Sequence, residues 1–241
     1  MNVSLTQAAA GMTAVARWQE VIAQNLAGAV VPGFKRVETA FSAATHPYFP
    51  NAILPVSHVV RNFSQGHLRP TGAPTDVALD GPGFFEVQLP DGQTAFTRDG
   101  EFRVDPQGQL VTKEGHIVLG DGGPIQLDPN NGAPLSISAD GTVAQGGEVR
   151  GKLRVVAFAE PHRLEWIGAG LFVARDPALV PTTAATPVRQ GFLESGNTSP
   201  VTEMAHLIAA LRQFEAMQRV LQSQDERLGR AIQELGNPNP V

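Results

Sequence analysis

Apolar residues recur at alternating three- and four-residue intervals at both ends of this chain, and the middle shows nothing comparable. Near the start, Leu5, Ala8, Met12, Val15, Ile22 and Leu26 keep the spacing, with Gln19 the one polar member. Such a stripe predicts a helix of roughly 25 residues presenting a coiled-coil seam. Pro32 and Gly33 stop it, because proline has no N–H to donate and biases Val31 away from helical angles. Near the end, Met204, Leu207, Leu211, Phe214, Leu221, Leu228, Ile232 and Leu235 keep the same spacing, interrupted only by Gln218 and Asp225. Pro200 and Glu203 suit a helix start, and Gly236 with Pro238 suits its end. Glu215 with Arg219, and Glu226 with Arg230, stand four apart in the favourable order, each pair adding about 0.2–0.5 kcal/mol. From Pro200 to Leu235 the helix would run about 54 Å at 1.5 Å per residue. That is too long for an ordinary globular domain, so its seam needs a partner, and the N-terminal helix has the matching period.

Between the helices the pattern changes twice. Residues 34–74 are rich in Pro, Thr, Ser and His without sustained periodicity, which predicts an extended or loop-like linker. From 75 to 190, Asp-Gly pairs at Asp80, Asp91, Asp99, Asp121 and Asp140 punctuate short alternating or apolar stretches such as Phe84–Leu89 and Leu153–Ala159. These are hairpin signals and predict a compact all-β domain. Gly81 and Gly83 supply positive φ in a turn, and Phe84 and Phe85, being adjacent, face opposite sides of one strand. The fold class is therefore α+β: a central all-β domain (75–190) between an N-terminal helix (1–33, then the linker 34–74) and a C-terminal helix (191–241) that pair as a coiled coil.

Composition narrows the function. The 241 residues carry a formal net charge of −5 and only three lysines, Lys35, Lys113 and Lys152, so no basic surface for nucleic acid is expected. No apolar run is long enough to span a bilayer, and the N-terminus lacks the features of a cleaved secretory signal. The absence of cysteine excludes disulfides and thiolate metal sites. Catalytic signatures are missing too: no G-x-S-x-G, no H-E-x-x-H, no phosphate loop. The six histidines are scattered, and Asp76, Asp80, Asp99, Glu101 and Asp105 lack the spacing of a calcium loop, so Asp is read as shaping turns. Trp18 and Trp166 are isolated and read as packing residues. No catalytic residue, metal ligand or cofactor is assigned.

Three separated stretches resemble the bacterial flagellar rod and hook family of axial proteins. The first, Asn25-Leu26-Ala27 through Pro32-Gly33-Phe34-Lys35-Arg36, is similar to the family's N-L-A-N-x-x-T-P-G-F-K-R, departing at Gly28 and Val31. The second runs from Gly66 to Gly72, through Asp76–Phe85 with Gly83, Phe84 and Phe85, then Arg98-Asp99-Gly100-Glu101-Phe102 and Gly108–Thr112. It looks like the family's G-x-L-x-x-T-G, D-x-A-I-x-G-x-G-F-F, R-D-G-x-F and G-x-L-V-T in that order. The third, Gly191–Asn197 with Glu194 and Asn197, then Glu203-Met204, Arg212, Phe214-Glu215 and Asp225-Glu226, resembles the elements heading the family's C-terminal helix, with Gly196 and Thr198 as departures. R-x-F-E followed by D-E favours a proximal rod position over a distal one.

The resemblance implies a non-enzymatic subunit of the basal-body rod in the periplasm, exported by the flagellar type III apparatus without a cleaved signal. Its partners would be copies of itself and neighbouring rod and hook proteins, with neither nucleic acid nor membrane insertion. The helix stripes would be the interface. Two alternatives stay open at this point: a distal rod or hook-type axial subunit, and an envelope glycan-binding or hydrolytic β domain on a coiled-coil stalk.

Overall fold

The computed structural model describes residues 3–46 and 49–235, with side-chain surroundings for 9–40 and 58–234. The Leu5 and Leu235 side chains, and Gly236 and Pro238 as a helix stop, lie outside the described residues. The chain is α+β. A 26-residue helix, α1, spans Val3–Gly28, and a 36-residue helix, α2, spans Pro200–Leu235. The Val31 N–H bonds the Gly28 carbonyl at 3.0 Å as α1 ends, and Gly33 follows at φ 66°, a left-handed conformation that ends the helical path. Pro200 opens α2 without forfeiting a bond, since the first N–H groups of a helix have no intrahelical acceptor.

The chain divides into two compact units. One holds α1 to Leu26, residues 37–60 and α2. Within the stretch expected to be an extended or loop-like linker, Val37–His46 pairs with Phe49–Arg61 as a two-stranded ribbon. A ribbon paired along one edge need not bury a face, so it leaves no clear alternation of apolar and polar positions to read.

The other unit comprises residues 27–36 and 61–199. Its main sheet runs in the order Glu165–Gly168, Leu171–Val173, Thr94–Thr97, Phe84–Gln88, Ile117–Gly120, Leu110–Thr112 and Phe102–Val104, all antiparallel. Alternation along the central strand Phe84–Gln88 feeds two cores. Phe85 and Val87 join a cluster with Val77, Leu79, Phe102, Leu110 and Val118. Phe84 belongs to a second cluster with Phe96, Val156, Phe158 and Phe172, where its ring meets those of Phe158 and Phe172 edge-on at 6.0 and 5.8 Å. A strand buried on both faces reads as a nearly continuous apolar run.

Three of the five Asp-Gly pairs make hairpins. Asp91-Gly92 joins Phe84–Gln88 to Thr94–Thr97, with Gly92 at φ 83° and the Asp91 carboxylate accepting the Gln93 N–H at 2.9 Å. Asp140-Gly141 joins Leu135–Ile137 to Thr142–Gln145, and Asp121-Gly122 closes Gly120 onto Gly123. Asp80-Gly81 and Asp99-Gly100 are not hairpin turns. Asp80 bonds the Pro187 carbonyl through its N–H, and Gly100 lies so close to the Val77 carbonyl that a Cβ there would sit 1.8 Å from its oxygen. Glycine at position 100 permits close approach of two chain segments, which the same dipeptide signals as readily as a turn.

The β unit extends past the expected boundary at 190. Val188–Gln190 pairs with Val77–Leu79, and Phe192–Glu194 pairs with Leu68–Pro70. Residues 191–199 thus belong with the strands, and the helical unit resumes at Pro200.

Candidate functional site

Two features gather the residues singled out in the sequence: the helix stripes, and a buried hub where the three motifs meet. Within the helical unit, Val15 and Ile22 of α1 and Ala210 of α2 form a buried cluster, with Trp18, Leu207, Phe214 and Met217 packed against it. The helices run antiparallel, since a Cβ on Gly11 would lie 3.1 Å from Met217 while Trp18 lies 6.4 Å from the His206 ring. Glycine at 11 and alanine at 210 let the two backbones approach. Met12 and Leu26 are half-buried.

The stripe of α2 that meets α1 is offset from the expected one. Leu207, Ala210, Phe214 and Met217 pack against α1, and Leu221 and Gln224 are half-buried further along the same line, again three and four apart. Only Leu207, Phe214 and Leu221 are shared with the predicted seam. Met204 and Leu211 are 52% and 47% exposed, and with Val201 (78%) and Ile208 (55%) they form a second apolar face spaced three, four, three. Leu228 and Ile232 are exposed as well. The helix therefore carries two adjoining apolar stripes. In the sequence the two merge into one stripe, because Ala210 is weakly hydrophobic whereas Leu211 is strongly so.

Asn25 acts inside this unit as a clamp. Buried at the end of α1, its Nδ2 donates to the Val37 carbonyl at 2.7 Å and its Oδ1 accepts the Val37 N–H at 2.8 Å. One side chain thereby satisfies both backbone groups of the first ribbon residue, and no aspartate or aliphatic residue could do the same.

The hub lies in the β unit. Lys35, Arg98 and Glu194 come from the three separate motifs and are 1%, 3% and 1% exposed. The Lys35 Nζ lies 2.6 Å from Glu194 Oε1 and donates also to the Ser64 carbonyl at 2.8 Å. Glu194 Oε1 accepts the Gly66 N–H at 2.8 Å, and Arg98 Nε lies 3.5 Å from Glu194 Oε2. Burial pushes the Lys35 ammonium below its ordinary value, the Glu194 carboxylate opposes that and Arg98 adds to it. Burial likewise lowers Arg98, against the pull of Glu194. Desolvation thus outweighs attraction at both cations, as expected when two positive charges share one carboxylate.

Backbone contacts tie the same motifs together. The Gly33 N–H bonds the Glu194 carbonyl at 2.7 Å, and a Cβ on Gly33 would strike the Arg98 backbone at 2.4 Å. Asn197 Oδ1 accepts the Arg36 N–H at 2.6 Å while its Nδ2 donates to the carbonyls of Asn62 and Ser64 at 2.9 and 3.0 Å. Pro32 sits half-buried in this loop, and Phe34, 7% exposed, packs its ring where a Cβ on Gly28 would sit, 2.3 Å away. That contact accounts for glycine at 28. Gly83 has φ 133°, and Asp99 accepts the Glu101 N–H at 2.9 Å while burial pushes its carboxyl up to about 6. Glu203 belongs to the helical unit, in the first turn of α2, 1% exposed and 3.7 Å from His206.

The spacing pattern does not mark Ala210 and Met217 as contacts. The Lys35 ion pair has no assignment in the sequence either, although a lysine between phenylalanine and a second cation in so lysine-poor a chain is a usable signal. Among the described residues no group of three or more His, Cys, Asp or Glu is placed to hold a metal ion, and no described helix is long and apolar enough to cross a membrane.

Two family descriptions match the chain. Residues 78–145 match the flagellar hook protein FlgE/F/G D1 domain, and residues 189–234 match the flagellar basal body rod FlgEFG protein C-terminal region. Among similar proteins, the flagellar basal-body rod protein FlgF of Caulobacter vibrioides is 35% identical, over 91% of this chain and 92% of its own. FlgF of Mesorhizobium japonicum is 34% identical over 98% and 99% of the two chains. The flagellar basal-body rod protein FlgG of Borreliella burgdorferi is 32% identical over 95% and 97%.

Proposed function

Because this chain belongs to the flagellar basal-body rod protein family, and is a structural subunit of that rod, we propose that it polymerises through α1 and α2, each copy completing its apolar helix faces with those of its neighbours. The observation that carries this reading is the uncovered α2 face of Val201, Met204, Ile208 and Leu211, 47–78% exposed on a helix of 36 residues. A contiguous apolar face of that kind is a mark of an association surface. Val15, Ile22, Leu207, Phe214 and Leu221 hold α1 and α2 together as a coiled-coil pair. Leu5, Met12, Leu26, Met204, Leu211, Leu228, Ile232 and Leu235 supply contacts between copies and to neighbouring rod and hook proteins. A heterologous contact that does not close into a ring generates a helical shaft. The shaft transmits torque and encloses an export channel.

The remaining parts of this reading rest on the family. The subunit is not an enzyme, reaches the periplasm through the flagellar type III apparatus without a cleaved signal, and has an axial helical region distinct from its β domain. Arg212, Phe214 and Glu215 followed by Asp225 and Glu226 support a proximal position in the rod. The hub of Lys35, Arg98 and Glu194, with Asn197, secures the segments that follow α1 and precede α2. The test is a chain carrying Met204→Glu and Leu211→Glu as the only copy in the cell. Both sites are exposed, so the purified chain should keep its circular dichroism and melting temperature while basal bodies lack a completed rod. Normal rods and swimming would refute the reading.

A further inference from the structure

α2 outruns the helix that covers it. Gly11 meets Met217 and Trp18 lies by His206, so at equal rise on both helices Val3, the first described residue of α1, comes opposite about residue 225 of α2. From Asp225 to Glu234 every side chain is exposed. The last turns of α2 therefore stand beyond the described α1 over about 15 Å. They are not wholly polar. Leu228 and Ile232, one turn apart, are 38% and 69% exposed, so an apolar stripe goes on where its cover has ended.

The other uncovered apolar face of α2, with Met204, Ile208 and Leu211, lies at the opposite end of the same helix. One displacement relates the two. The step from Ile208 to Ile232 also carries position 204 onto 228 and position 211 onto 235, so each apolar residue of the first face has an apolar counterpart in Leu228, Ile232 or Leu235. That step spans about 36 Å of continuous helix, which holds the two stripes apart within any one chain. Two copies can bring them together. Resting on the reading that copies associate through their helices, we infer that the free end of α2 in one copy lies alongside the opening turns of α2 in the next. The two helices run parallel, with Leu228 against Met204 and Ile232 against Ile208. The paired surfaces differ, so the contact is heterologous and leaves each copy one stripe for a further neighbour. Charge favours this direction. An antiparallel pair joining Ile208 to Ile232 reciprocally would close as a dimer and bring the exposed Glu215 of each copy to the exposed Asp225 of the other, a repulsive juxtaposition. The parallel arrangement sets Glu215 beyond Leu235 of the neighbour and avoids it.

The chain has no cysteine, so introduced thiols report the contact. Ile208→Cys and Ile232→Cys both replace exposed residues outside the α1–α2 cluster. Expressed together as the only copies in the cell and mildly oxidised in intact basal bodies, the two variants should give a mixed disulfide dimer, and either alone should give none. Met204→Cys with Leu228→Cys is the second pair and should behave alike. In concentrated purified chain, the double variant Ile208→Cys, Ile232→Cys should form a ladder of trimers and longer products. Dimers from one variant alone, a double variant that stops at the dimer, or no mixed dimer from either pair overturns the head-to-tail pairing. Maleimide labelling of Ile208→Cys in basal bodies separates this failure from failure of the wider reading. A shielded thiol without mixed dimers leaves assembly through the helices standing and removes only this pairing, whereas an open thiol removes both.

Discussion

Glu194→Gln probes the hub most severely, because glutamine keeps the shape of the side chain and the acceptor for the Gly66 N–H while removing the only negative charge between Lys35 and Arg98. Both cations are at least 97% shielded, so neither can recover its hydration without opening the structure. Breaking a buried ion pair from one side costs about 3–5 kcal/mol, a large share of the roughly 5–15 kcal/mol that holds a domain folded. The loss should depend on pH in a definite direction. Burial already lowers the Lys35 pKa, and without Glu194 to oppose it the shift deepens. Between that lowered value and the ordinary lysine value the unfolded chain binds more protons than the folded one, so stability rises with pH across the interval. The deficit of the variant should therefore narrow under alkaline conditions, where Lys35 escapes by losing its proton. Urea unfolding followed by Trp166 fluorescence, at about pH 7 and again at about pH 9.5, measures both quantities. Adding Lys35→Met to Glu194→Gln should recover part of the loss, since one of the stranded charges is gone. A deficit under about 1 kcal/mol at neutral pH, or a double variant no better than the single one, would refute the reasoning.

Three further outcomes follow from other parts of the molecule. Asp99 has its carboxyl raised to about 6 by burial, so its folded form holds a proton more tightly than the unfolded chain; its contribution is full in acid and is lost as pH rises through about 6. Asp99→Asn keeps the acceptor for the Glu101 N–H and should stabilise the β unit at pH 8 by up to about 3 kcal/mol, checked by the disappearance of that pH dependence from thermal melts. Phe214→Ala should weaken the α1–α2 contact by about 1–3 kcal/mol, less than a fully buried phenylalanine because Phe214 is half-buried, shifting the Trp18 signal while the melting temperature of the β unit stays put. Gly100→Ala must displace the Val77 carbonyl that its Cβ would meet at 1.8 Å and should lower β-unit stability by at least about 1–3 kcal/mol, whereas Gly122→Ala, with open space around it, should leave the melt unchanged.

The helices were legible because each is long, periodic and bounded by proline or glycine. Pro200 is the observed start of α2, as the pattern predicts, and the described helix reaches Leu235. Which stripe faces α1 was not legible, because Ala210, a small residue of weak hydrophobicity, sits at the centre of the contact while Leu211 beside it is exposed. Strand content at 75–190 was signalled by Asp-Gly pairs, yet two of the five are not hairpin turns, one of them a close approach of Gly100 to the Val77 carbonyl, and dipeptide identity does not distinguish a turn from a close approach. The ribbon at 37–61 escaped notice because its pairing leaves no alternation to read. The hub was half visible. Its motifs could be quoted, but residues 35, 98 and 194 meet only after residues 68–79 zip against 188–194, and separation of that order carries no local signal. The overrun of the β unit to residue 199 has the same origin.

The central claim, that the exposed α2 face is buried by neighbouring copies, can be tested directly because the chain contains no cysteine. Ile208→Cys places a single thiol on that face at a position 55% exposed. A maleimide should label it readily in the dilute chain, fail to label it in intact basal bodies, and label it again once those bodies are dissociated. Equal labelling in dilute chain and intact basal bodies would show that the face stays open to solvent after assembly, and would contradict the account.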